Sequence, residues 1–182
     1  MKNLLLLMLT LLLQGIATEN LFAQQTGDKE KMNAFINWIG RWQGESTMQM
    51  GPNETRKAVM DERIESRLEG TVLLVEGLGK AFNTQTKQDM IVHHALAILS
   101  YDKWTKQYKL RSYLNDGNST DAWVNVTGEN TFQWGFDIPG RGKMRYSIVL
   151  DPVKKTWDET GEFSPDGAKW NNFFSMHLTK TE

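Results

Sequence analysis

The chain has 182 residues, with 22 acidic and 21 basic side chains and no cysteine. That length suits one domain with a full core. A net charge of −1 removes any electrostatic case for nucleic acid or an anionic membrane surface, and the missing thiols exclude disulfides, thiolate metal sites and a cysteine nucleophile.

Lys2 and the apolar run Leu4 to Leu13 read as a secretory leader, because the run is too short to span a bilayer. Ala17 and Leu21-Phe22-Ala23 both offer small-residue cleavage sites, and cleavage after Ala23 is the expected one. The expected organisation is a signal peptide over 1–23, a flexible polar segment over 24–34 and one folded domain over 35–182. No later stretch has the length and apolarity of a membrane span. The sequence therefore predicts an exported protein, periplasmic or extracellular, with no membrane span after leader removal.

The folded part opens on Phe35-Ile36-Asn37-Trp38-Ile39-Gly40-Arg41-Trp42-Gln43-Gly44-Glu45. Phe35, Trp38 and Ile39 share one face of a short helix. Gly40 tolerates the left-handed backbone that ends helices. From Trp42 the period becomes two, with Trp42, Gly44, Ser46, Met48 and Met50 on one face and polar residues on the other. This is a half-buried strand fed by a helix that can plug one end of a barrel.

Strands separated by turn residues follow. Ala58, Met60, Glu62, Ile64 and Leu68 share one parity. Val72, Leu74, Glu76, Leu78, Lys80 and Phe82 share the next, and Met90 to Tyr101 is apolar on both faces. Tyr108, Leu110, Ser112 and Leu114 alternate up to the hairpin signal Asp116-Gly117. Thr120 to Thr127 carries Trp123 and Asn125 on one parity. Phe132, Trp134, Phe136 and Ile138 follow, then Met144, Tyr146, Ile148 and Leu150. Trp157, Glu159, Gly161 and Phe163 precede a closing strand with Phe174, Met176 and Leu178. About ten strands joined by tight turns make an antiparallel meander, and closure would remove its exposed edges. The expected fold class is all-β: an up-and-down barrel of about ten strands capped at one end by a short helix.

A helix leading into Gly40-Arg41-Trp42, followed by such a meander, resembles the calycin group of lipocalins, fatty-acid-binding proteins and nitrobindin-like barrels. The segment Trp157-x-Glu159-x-Gly161-Glu162, with Asp166-Gly167 and Trp170, is similar to lipocalin-like domains of exported bacterial proteins. The resemblance covers roughly residues 35–180 and implies a barrel with an internal cavity, without assigning a ligand.

If the parity of Trp42 faces inward, the cavity candidates are Trp42, Met60, Glu62, Glu76, Tyr108, Trp123, Asn125, Trp134, Tyr146, Trp157, Glu159 and Phe174. Apolar walls with a few placed polar groups are what a small-molecule site needs. Carboxylates in a closed interior are costly unless paired or wetted. Glu62, Glu76 and Glu159 therefore either fix a polar head group or ordered water, or lie on the surface in strands of opposite parity. Any barrel needs filling, so the tryptophans serve first as core.

The nitrobindin-like resemblance implies a haem held by a histidine of a late strand and isomerisation of peroxynitrite. His177 lies near the corresponding place, but the parity of Phe174, Met176 and Leu178 points it outward. His93 and His94 are consecutive, so a regular strand turns only one of them to the lumen. No histidine–carboxylate set has metal-ligand spacing, and no Gly-x-Ser-x-Gly elbow or phosphate loop occurs. The expectation is a non-enzymatic carrier of a small apolar or amphipathic molecule, with neither metal nor cofactor. A haem isomerase using His177 and an interaction domain without a ligand are the alternatives.

Overall fold

Period-two patterning closes the sheet on itself. The computed structural model describes residues 29–182. The expected leader over 1–23, and the expected loose segment up to residue 28, lie outside the described residues. From residue 29 the chain is already helical, and Met32 is buried in the core.

A helical turn over 29–32 runs into a 3-10 helix, Asn33–Trp38. Ten strands follow: β1 Gly40–Gly51, β2 Glu54–Arg67, β3 Val72–Asn83, β4 Gln88–Asp102, β5 Gln107–Leu114, β6 Ser119–Gly128, β7 Thr131–Ile138, β8 Gly142–Asp151, β9 Thr156–Ser164 and β10 Asn171–Lys180. Each pairs antiparallel with its sequence neighbours, and β1 pairs with β10, from Trp42 opposite Lys180 to Met48 opposite Phe174. The expected meander barrel is the observed one, with no free edge left.

The helix is tighter than an α-helix, and this decides which side chains it buries. At three residues per turn, Met32, Phe35 and Trp38 eclipse one another. All three are buried, while Ile39 is only half-buried. Phe35 stacks on Phe132, with centroids 5.0 Å apart, and Trp38 packs on Trp157 at 4.8 Å. Two polar contacts fasten the plug. Asn37 Nδ2 donates to Asn130 Oδ1 at 2.7 Å, and the Tyr108 hydroxyl donates to the Lys31 carbonyl at 2.8 Å. Gly40, at φ +132°, makes the corner into β1. Trp42 lies beneath the plug. Its Nε1 donates to the Trp38 carbonyl at 2.8 Å, and Lys180 Nζ lies 5.2 Å from its ring centroid.

Three of the hairpins use one device. Asn83, Asp102 and Asp151 each accept two backbone N–H bonds, from the residues two and three positions on. Each turn then closes on a lysine with a left-handed backbone: Lys87, Lys106 and Lys155. The Asn or Asp side chain mimics a backbone turn and organises the loop.

The barrel is apolar within and charged without. Outer pairs include Arg41–Asp61, Arg111–Asp121, Lys143–Asp137 and Arg145–Glu162. This is the inverse of a barrel that turns its apolar face to lipid. Among the described residues no helix is long and apolar enough to cross a membrane.

Candidate functional site: the barrel lumen

The side chains of all ten strands leave a cavity of about 340 Å³ between the plug and the opposite end of the barrel. Its floor is Trp38, Trp157, Glu62 and Glu159; its walls include Met60, Trp134, Tyr146 and Ile148. Met48, Arg56, Leu114, Thr120, Phe136 and Phe174 lie toward the unplugged end. The volume falls at the lower end of the range for small-molecule sites.

Small residues make the space. On β3 the lumen side is Leu73, Val75, Gly77, Gly79 and Ala81. A Cβ on Gly77 would lie 2.6 Å from a Glu62 carboxylate oxygen, and one on Gly79 would lie 2.8 Å from the Met60 sulfur. Glu62 therefore lies flat against bare backbone. On β4, Ala95 and Ala97 add to the same gap, and Val92 is an extra residue in the register, since Gly79 pairs with His93 and Lys80 with Ile91. The bulge turns both Val92 and His93 toward the lumen.

Two carboxyl groups are buried on the floor. Glu159 accepts from Trp134 Nε1 at 2.9 Å on one oxygen and from Trp157 Nε1 at 3.2 Å on the other. Burial nevertheless pushes it up to about 7, against the pull of both indoles. Glu62 has no hydrogen-bond partner among the described residues. Burial first, then the charges of Glu159 and Asp61, push it up to about 8. At neutral pH the Glu62 carboxyl is therefore mostly a neutral acid facing the cavity. The Tyr146 phenol is raised by burial and by Glu159, and its ring stacks on Trp134 with centroids 4.1 Å apart. His93 is lowered by burial and by His94, so its ring is neutral. Trp38 Nε1 is buried without an acceptor among the described residues.

The structure gathers Met60, Glu62, Trp134, Tyr146, Trp157, Glu159 and Phe174 around this cavity. Trp42 and Tyr108 also face inward, but they pack beside the plug at the closed end. Glu76, Trp123 and Asn125 point outward and leave the candidate set. For Glu76 the expected parity followed the large residues Leu74, Leu78 and Phe82, whereas the lumen takes the small ones. For Trp123 the expectation followed the ring, whereas Ala122 and Val124 are the buried residues. Trp123 instead covers Gly135 across the β6–β7 pair, where a Cβ would meet its ring at 2.6 Å.

His177 lies on the outer face, with its Nδ1 2.6 Å from Asp158 Oδ1, and it cannot reach a group in the lumen. Ser46, Arg56, His93, Ser112 and Thr120 also line the cavity, outside the candidate set. The inward parity of Ala95 and Ala97 was the available signal for His93. Among the described residues no three His, Asp or Glu side chains converge as a metal set.

The Trp157–Trp170 segment becomes intelligible residue by residue. Trp157 holds Glu159, and Gly161 lies against the Tyr146 ring, where a Cβ would meet it at 2.8 Å. Glu162 accepts two bonds from Arg145, whose guanidinium lies 4.1 Å from the Trp170 centroid. Asp166 and the buried Ser164 close the turn. A broader groove of about 760 Å³ on the outer surface is lined partly by Arg41 and Asp61, which already satisfy each other. The outer face also exposes Leu96, Ile98 and Tyr113.

No family model matches the sequence, and no curated protein matches it. Among solved structures the fold is similar to the crystal structure of Rv2717c from M. tuberculosis. That match has a TM-score of 0.59 and 10% identity, and covers 83% of this chain and 97% of the other. At that identity the likeness concerns the fold alone, a closed antiparallel barrel, ten-stranded in this chain.

Proposed function

We propose that this chain is an exported binding protein that holds one small apolar or amphipathic molecule in the barrel lumen. The observation that carries the reading is the combination in one cavity of aromatic walls with an unpartnered, buried polar group, Glu62. A core needing only to be filled gains nothing from Glu62, whose burial costs free energy unless something meets it. The small residues of β3 and β4 keep the space open where larger side chains would close it. The leader-like first 23 residues support export.

Titration with the neutral fluorophore N-phenyl-1-naphthylamine tests the reading. One saturable site, weakened by Trp134→Ala or Trp157→Ala, is the expected result; absence of saturable binding overturns it. A second reading, a nitrobindin-like haem protein, moves from His177 to His93, the imidazole that the bulge turns into the lumen. A Soret band after haem addition, lost in His93→Ala, is its signature, and a flat spectrum rejects it. The exposed Leu96–Ile98–Tyr113 face is the surface an interaction domain would use.

A further inference from the structure

We propose that the lumen is built for an organic ammonium ion, a small apolar amine whose charged nitrogen sits between Glu62 and Glu159 while its body lies among the rings of Trp134, Tyr146 and Trp157. The inference rests on the binding reading above and names the ligand class for that same site.

The floor carries two acids and no base. Glu62 is nine-tenths buried, has no partner among the described residues, and lines the cavity. Glu159 lies on the same floor with an indole N–H on each oxygen. Paired donors hold a group that accepts, which is the carboxylate form, and an acid meant only to donate has no use for them. The rings of Trp134, Tyr146 and Trp157 wall the space beside the floor and give an apolar body its contacts. Other titratable groups facing the space do not supply the missing charge. His93 on β4 is neutral because of its burial, and Tyr146 on β8 is a neutral phenol. Arg56 on β2 lies toward the unplugged end and is exposed, where solvent and salt screen it. Trp38 Nε1 is closed off and offers a ligand nothing.

In the empty barrel Glu62, which has no donor beside it among the described residues, keeps its proton at neutral pH. An entering ammonium ion, R–NH₃⁺, stabilises the carboxylate, so Glu62 releases its proton to solvent as the ion pair forms. Binding therefore releases protons and tightens as pH rises toward the ordinary pKa of an alkylamine. A ligand that accepts a hydrogen bond from the neutral acid has the opposite dependence and weakens as pH rises.

The test uses calorimetric titration of the protein with 2-phenylethylammonium, 2-phenylethanol and 3-phenylpropanoate, which share one apolar body. Measurements at about pH 6 and about pH 8.5, each in two buffers of different ionisation enthalpy, also count the protons released. The ammonium ion is expected to bind at least about tenfold tighter at the higher pH, with proton release, and to exceed the alcohol there by about tenfold or more. Glu62→Gln is expected to remove most of that preference and the pH dependence. Alcohol or carboxylate binding that equals ammonium binding overturns the ammonium assignment and leaves the binding reading standing. So does ammonium affinity that is flat or falls with pH. Failure of all three probes and of the neutral fluorophore overturns both. The comparison among probes on the unaltered chain decides the matter even if Glu62→Gln does not fold.

Discussion

Replacing Glu62 by glutamine keeps the shape of the side chain against Gly77 and removes one titration. Its effect on stability follows from the burial of the carboxyl. An unfolded glutamate titrates near 4.5, and in the folded barrel Glu62 is pushed up to about 8. The folded state thus holds this proton more tightly than the unfolded state. The resulting stabilisation is fully present below about pH 4.5 and is lost as pH rises through about 8. A rise of that size corresponds to a loss of up to roughly 4–5 kcal/mol across the window. Glu159, pushed up to about 7, adds a smaller loss over the lower part of the same window, and the two are coupled, so they do not add. Urea unfolding of wild type and Glu62→Gln at intervals from about pH 4.5 to 8.5 measures this directly. The two chains should have nearly equal stability at the acid end, and the variant should gain by several kcal/mol at the alkaline end. Parallel stability curves would refute the reasoning, because they would mean that Glu62 titrates alike in the folded and unfolded chains.

Other consequences are simpler to state. Phe35→Ala leaves a hole in the plug between Phe132 and Tyr108, and should cost about 3–5 kcal/mol in denaturant unfolding. Gly77→Ala drives a methyl group into the Glu62 carboxyl, so it should weaken lumen binding by displacing that group, as read by fluorophore titration. His177→Ala removes only an exposed contact with Asp158, and should change stability by less than about 1 kcal/mol and lumen binding not at all. Lys106→Gly relieves a left-handed backbone at a hairpin, and should be neutral or stabilising by up to about 1 kcal/mol in a thermal melt.

Much of the barrel was legible because period-two patterns and turn residues are local signals. Strands β2, β5, β7, β8, β9 and β10 place their inward residues where alternation puts them, and seven of the twelve cavity candidates follow from that. The signal fails where size and burial part company. On β3 the inward face is built from Gly77, Gly79 and Ala81, because a cavity needs small residues at its wall, while Leu74 and Leu78 turn outward. On β6, Trp123 lies outside to cover Gly135, a cross-strand need that alternation within one strand does not reveal. On β4 the parity shared by His93, Ala95 and Ala97 selects His93, whereas the bulge that brings Val92 in beside it depends on the pairing partner and is not legible in the strand alone. The 3-10 geometry of the plug is a tertiary outcome. It sets Met32, Phe35 and Trp38 in one row over the end of the barrel.

The most direct measurement compares fluorophore titrations of three chains: wild type, Ala58→Phe, which fills the lumen from β2, and Leu96→Ala, which trims the outer face. Equal circular dichroism spectra would establish that all three are folded. If the molecule works through its interior, wild type and Leu96→Ala bind one equivalent alike, and Ala58→Phe binds none. Binding that survives in Ala58→Phe and disappears in Leu96→Ala would place the site on the outer wall and contradict the account.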